Sequence, residues 1–278
     1  MTAILSPIET PLRNVRGVGG LLRDWRVARR MSQLRLSLEA RVSARHLSFL
    51  ETGRAQPSRE MVCRLAEVLD VPLRERNALL LAAGYAPAFH ETPLEEPQLV
   101  HVRRALEFIL AKQEPYPAFA FDRRWNHVLS NCAARAIFGQ LLAGAKRHGN
   151  IMRQVFDPES LRPRITNWNE VAGELLRLLR RDVAVAPQDS AARALLDEIL
   201  AYPDVPMQVN GNGKSRHATP LLTTAYRLGD RELRFFSTIT TFDASDELTV
   251  AELRIECAFP ADEATDLFCR QVAGELTV

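Results

Sequence analysis

The stretch from Ser32 to Gly53 restricts the possible folds of this chain more than any other part of it. Ser32 stands before Gln33–Ala40 and Ser43 before Ala44–Glu51, two short apolar-polar stretches joined through Arg41, Val42 and Ser43. A serine in such a place accepts a hydrogen bond from an amide of the first turn and so fixes where a helix begins. Thr52-Gly53 stops the second helix, because glycine tolerates the left-handed backbone that ends helices. Leu34 and Leu38 are expected to point inward from the first helix, and Leu47 and Leu50 from the second. Neighbouring helices are expected at Leu21–Arg30, with Leu21, Leu22, Trp25 and Ala28 on one face, at Met61–Leu69 after Pro57-Ser58, and at Leu73–Ala83 before Gly84. The result is an all-α head spanning residues 15–85.

Two capped helices around a three-residue turn form a helix-turn-helix, whose second helix enters the DNA major groove. Charge agrees. Residues 1–90 carry fourteen arginines and no lysine against eight carboxylates, a net of +6, while the remainder carries 22 bases against 26 acids, a net of −4. A basic head on an acidic body suits a nucleic-acid-binding module joined to something else. The words SQLRLSLEARVSARHLSFLETGRAQPS resemble the Xre-type, lambda-repressor-like helix-turn-helix family. That resemblance implies a double-stranded operator as partner. It places Gln33 against the DNA backbone and Ala44, Arg45 and Phe49 toward base edges. Arg45 can take guanine O6 and N7 together. Phe49 either touches a thymine methyl or packs on a neighbouring helix. Ser43, His46, Ser48, Arg54 and Arg59 are candidate phosphate contacts, which set position rather than sequence. One departure stands out: the turn position that is usually glycine in such motifs is Arg41.

Residues 86–97 (APAFHETPLEEP) read as a linker, with three prolines, three glutamates and no apolar periodicity. The body, residues 98–270, is expected to be α+β. A helix at Gln98–Ala111 is followed by strands at Ala118–Phe121 and His127–Leu129. Helices come next at Asn131–Leu142, Asn169–Arg181 and Ser190–Ala201, then antiparallel strands at Leu221–Leu228, Glu232–Phe242 and Leu253–Phe259. The words PYPAFAFDRRWNHVLSN, IMRQVFDPESLRP, ITNWNEVAGELL, LRFFSTITTFD and ELRIECAFPADEAT resemble, in order, the MmyB-like ligand-binding domain. This implies a PAS-like fold and a small-molecule effector, with fatty-acid-like molecules the suggested class. Phe119, Phe121, Trp125, Phe138, Tyr226, Phe236 and Ile255 are candidate lining residues, with Asn126, Asn131 and Arg234 as polar anchors. The alternative is that they simply fill the core.

Other chemistries find little support. No apolar run reaches the roughly 18–20 residues of a membrane span, and Met1–Pro11 lacks the pattern of a signal peptide, so a cytoplasmic protein is expected. Cys63, Cys132, Cys257 and Cys269 form no metal-ligand spacing and read as apolar fillers. Gly211–Ser215 imitates the end of a phosphate-binding loop, but Gln208 stands where its first glycine belongs. Six scattered histidines and the lack of HExxH or GxSxG leave no catalytic constellation, so neither enzyme activity nor a cofactor is expected. A head of this size contacts few base pairs, which implies a homodimer on adjacent half-sites. The competing reading is a constitutive dimeric repressor whose body only dimerises or binds a protein partner.

Overall fold

The computed structural model describes residues 17–186, 189–206, 223–242 and 247–276. The chain divides into two compact units, Met1–Phe89 and His90–Val278. The head holds α1 (Val18–Ala28), α2 (Gln33–Glu39), α3 (Ala44–Glu51), α4 (Arg59–Val68) and α5 (Leu73–Ala82). The capping serines act as their positions require. Ser32 Oγ accepts from Arg35 N and Ser43 Oγ from His46 N, both at 3.1 Å, and Ser58 Oγ accepts from Met61 N at 3.2 Å.

The five described head helices end alike. A left-handed residue follows each one: Arg30 (φ 52°), Arg41 (φ 54°), Gly53 (φ 73°), Asp70 (φ 47°) and Gly84 (φ 84°). The amide after it reaches back to close the last turn, as Val42 N does to Ser37 O at 2.9 Å and Arg54 N to Phe49 O at 2.8 Å. This is the Schellman closure, and three of its five instances forgo glycine.

The inward face of α2 differs from expectation. Leu34 and Leu38 are 62% and 70% exposed, whereas Leu36, Ser37 and Ala40 are buried. Leucines at 34, 36 and 38 offer two competing faces, and seven residues are too few for periodicity to choose between them. The roll of α2 is set instead by Gln33, whose amide bonds to Glu51 on α3. On α1, Ala28 is likewise exposed, and Val18, Gly19, Leu22 and Trp25 form the buried face. Gly19 lies against α3 so closely that a Cβ there would stand 2.0 Å from the Leu50 carbonyl oxygen.

The body contains α6 (Val100–Lys112), β1 (Ala118–Phe121), β2 (His127–Ser130), α7 (Cys132–Leu141), α8 (Ile151–Phe156), α9 (Trp168–Val185), α10 (Ser190–Leu200), β3 (Thr223–Leu228), β4 (Arg231–Thr241), α11 (Leu248–Ala251), β5 (Arg254–Pro260) and α12 (Glu263–Leu276). The sheet is antiparallel, in the order β2-β1-β5-β4-β3. Alternation along the central strand β5 serves two cores. Ile255 is buried with Leu106, Leu110 and Ala120 beneath α6, while Ala258 joins Ile137, Phe156, Leu176 and Phe268 on the opposite face. Helices α8, α11 and α12 have no counterpart in the sequence reading. The first two are six and four residues long, too short to show a period.

The segment read as a linker is shared between the units. Asn77 pins Ala88 and Phe89 to the head, while Leu94 is buried in the body and Thr92 N bonds Glu247 Oε1 at 2.8 Å. Of the cysteines, Cys269 is buried with its thiol pushed up to about 12, whereas Cys132 is exposed at the start of α7. The Gly211–Ser215 loop lies outside the described residues. Among the described residues no helix is long and apolar enough to cross a membrane.

Two substitutions test this account by thermal or urea unfolding. Alanine usually improves a helix over glycine by about 1 kcal/mol. At Gly19 the clash with α3 outweighs that gain, and Gly19→Ala should destabilise the head by about 1–3 kcal/mol. Arg41→Gly removes the left-handed penalty and should stabilise it by roughly 1 kcal/mol.

Candidate functional site

The packing of the first three head helices is built on one buried ion pair. Arg26 on α1 grips Glu51 on α3 through two hydrogen bonds, Nε to Oε1 at 2.6 Å and Nη2 to Oε2 at 2.8 Å. Gln33 Nε2 on α2 donates to the same carboxylate at 2.8 Å. The Glu51 side chain is only 2% exposed. Burial pushes its carboxyl upward, but the bonds from Arg26 and Gln33 and the charges of Arg26 and Arg23 outweigh that and hold it below the usual carboxylate value. Three helices are therefore locked around one charge.

On that frame Ala44 and Arg45 are exposed on α3, with His46, Ser48 and Phe49 half-buried beside them. Arg45 and Phe49, one turn apart, stack with the guanidinium 5.4 Å from the ring centre. Ser43 accepts its capping bond and keeps its own hydroxyl hydrogen to donate. Arg54 and Arg59 are exposed near the helix ends. Gln33 is half-buried, with one amide hydrogen engaged by Glu51.

The body holds a cavity of about 360 Å³. Its floor is the sheet: Phe119 and Phe121 from β1, Glu256 from β5, Ser237 and Ile239 from β4, and Thr224 and Tyr226 from β3. Phe119, Glu256 and Ile239 lie in one row, since Phe119 pairs with Glu256 and Ile239 with Glu256. Phe138 of α7, Ile151 and Val155 of α8, and Val171, Glu174, Leu175 and Leu178 of α9 complete the walls with Trp125. The rings meet in sequence. Phe119 lies edge-on to Phe138 at 5.0 Å, Phe138 edge-on to Tyr226 at 5.4 Å, and Phe121 is tilted against Trp125 at 6.4 Å. Trp125 has a left-handed backbone (φ 66°), and its indole donates to Asp182 at 3.0 Å beneath the Arg254 guanidinium.

Five residues singled out in the sequence lie in this lining: Phe119, Phe121, Trp125, Phe138 and Tyr226. The structure places the other five elsewhere. Asn131 caps α7 and ties it to Ala118, Leu110 and Tyr116 through a fully engaged amide. Asn126 bonds Asp122 and Asn150 in the β1–β2 turn. Arg234 is exposed and paired with Glu232 at 2.7 Å. Phe236 stacks on Phe259, and Ile255 sits under α6. Strand parity, which sends Ile255 and Glu256 to opposite faces, is the signal that would have picked out Glu256 instead.

Glu256 is the unusual group of the lining. It is half-buried in the cavity lining, and burial raises its pKa against a smaller lowering by the Ser237 hydroxyl. Burial and the neighbouring Glu256 charge also raise the Tyr226 phenol, which is hydrogen-bonded to Thr224. Among the described residues, no group of three or more histidine, cysteine or carboxylate side chains is gathered for a metal ion.

The two carboxyls affect stability with opposite signs. Glu51, depressed when folded, contributes fully above its ordinary value of 4.5, and that contribution is lost as pH falls through the folded value. Glu256, raised when folded, disfavours the native body progressively as pH rises above 4.5. Calorimetry of the full chain should show Glu51→Ala costing the head about 3–5 kcal/mol at neutral pH, as expected for a buried ion pair left with one partner. Glu256→Gln should raise the melting temperature of the body at pH 7 and leave it nearly unchanged near pH 4.

Known families match both units. Residues 22–76 match the helix-turn-helix family, and residues 102–271 match the MmyB-like transcription regulator ligand binding domain. No curated protein matches the chain. Among solved structures, an RNA-binding light-oxygen-voltage receptor is similar at 14% identity, covering 94% of this chain and 64% of that one, with a TM-score of 0.25, too low to inform the fold. With the ligand-binding-domain match spanning more than half of its length, the chain belongs to the MmyB-like transcription regulators, a helix-turn-helix DNA-binding head joined to a ligand-binding domain.

Proposed function

We propose that the protein binds a double-stranded operator as a homodimer, and that its body takes one small apolar or amphiphilic effector that alters operator binding. The cavity carries this reading. Its volume falls at the lower end of the range of about 300–1,000 Å³ typical of small-molecule sites, and its walls are aromatic and aliphatic with a few polar groups. Two strands, a run of helices and three further strands in the order β2-β1-β5-β4-β3 support a PAS-like architecture for the body. In the head, the exposure of Ala44 and Arg45 on a capped and locked α3 supports its role as the helix that enters the major groove, with half-sites about 34 Å apart.

Arg45 is assigned to base reading and Arg54 to phosphate. Arg45→Ala should relax the preference for the specific site over scrambled DNA, a loss of about 1–3 kcal/mol of discrimination. Arg54→Ala should weaken both DNAs alike and flatten the salt dependence by about one counterion. Equal losses on both DNAs for Arg45→Ala would overturn its assignment.

Native mass spectrometry of the full-length protein tests the effector reading. A dimer carrying a few hundred extra daltons that are lost on denaturation supports it and supplies the molecule. If no molecule, endogenous or added, shifts the mass or the melting temperature, the constitutive repressor takes its place.

A further inference from the structure

The charge of the cavity narrows the class of effector. Among the described residues, the lining holds two carboxylates, Glu174 and Glu256, and no lysine, arginine or histidine. Glu174 is already paired with Arg177 on its own helix. Arg254, whose guanidinium lies over the Trp125 ring, is paired with Asp182 at 2.7 Å. Among the described residues no cation is paired with Glu256, and its one side-chain partner is the Ser237 hydroxyl. It stands in the same cross-strand row as Phe119, on the floor of an aromatic enclosure. A carboxylate at the base of a ring-walled cavity matches an ammonium group on both counts, by ion pairing and by attraction to the ring faces.

We propose that the cavity binds a cationic amphiphile, an ammonium group on a short apolar chain, with the Glu256 carboxylate as counter-ion and the aromatic walls around the chain. This rests on the reading of the cavity as an effector site and selects the sign of its headgroup. It departs from the fatty-acid-like effector that the family resemblance suggests. An anionic headgroup beside Glu256 would set two like charges together, which favours protonation of one of them. An ammonium headgroup does the reverse: it stabilises the ionised Glu256, so a proton held by that carboxyl leaves for solvent as the ligand enters. The other groups facing Glu256 do not oppose this. Tyr226 on β3 presents a neutral phenol, α7 and α8 line the cavity with apolar side chains, and Glu174 on α9 is offset by Arg177. His127 on β2, edge-on to Phe119 and Phe121, is pushed toward its neutral form by burial and by the charge of Arg135.

The test is calorimetric titration of the full-length protein and of Glu256→Gln with octylamine, octanoate and octanol, each below its aggregation concentration. Octanol, being neutral, reports whether the cavity accepts an eight-carbon chain at all, and whether Glu256→Gln leaves that cavity intact. The expected result is that octylamine binds at least tenfold more tightly than octanol, that octanoate binds more weakly than either, and that Glu256→Gln erases the advantage of the amine without changing octanol. If octanoate binds most tightly, or if the octylamine advantage survives in Glu256→Gln, the cationic assignment is wrong while the effector site stands. If none of the three binds, the effector site itself falls, and this proposal with it.

Discussion

The carboxylate of Glu51 is the point on which the head depends. A charge removed from water to this extent is tolerable only with a partner in good geometry, and Arg26 provides two short bonds in the fork arrangement that guanidinium favours. Gln33 supplies a third. Because the three donors and acceptors belong to α1, α2 and α3, the roll and spacing of these helices are fixed together. Gly19 adds a steric limit to the electrostatic one, letting α1 approach the last turn of α3 to a distance that no side chain would allow. The exposed face of α3 inherits its orientation from these two constraints.

The body solves a different problem, that of enclosing space rather than filling it. Strand parity divides the labour of β5, with Ile255 closing the core under α6 and Glu256 turned into the cavity. A chain of ring contacts runs along the cavity from Trp125 through Phe121, Phe119 and Phe138 to Tyr226, each pair in a tilted, offset-stacked or edge-on arrangement that rings favour. At the Trp125 end, Asp182 accepts from both the indole and Arg254, which anchors the C-terminal half of α9 over the sheet.

Much of the fold was legible from local chemistry. Ser32, Ser43 and Gly53 mark helix ends by the bonds they make with their immediate neighbours, so α3 appears in the structure with the bounds read from the sequence. The strands β1, β2, β4 and β5 lie within a residue or two of their expected limits. What escaped depends on contacts distant in sequence. Leu34 and Leu38 looked inward because a Leu-x-Leu-x-Leu run fits either face of a short helix, and the deciding bond comes from Glu51, eighteen residues from Gln33. In the body all the aromatic candidates but Phe236 line the cavity, whereas the polar candidates Asn126, Asn131 and Arg234 have local partners. Glu256 could be found only by extending the alternation of β5 one residue past Ile255, where a charged side chain seemed destined for solvent.

The separation of the cores has a consequence for descent. The fifteen buried residues centred on Leu22, Leu36 and Leu50 share no member with the clusters of the body. A change in Phe138 or Glu256 therefore leaves the packing behind Arg45 untouched, and a change in Arg45 leaves the cavity as it was. Either core can therefore be repacked without a compensating change in the other, so the two units are free to diverge in sequence at separate rates.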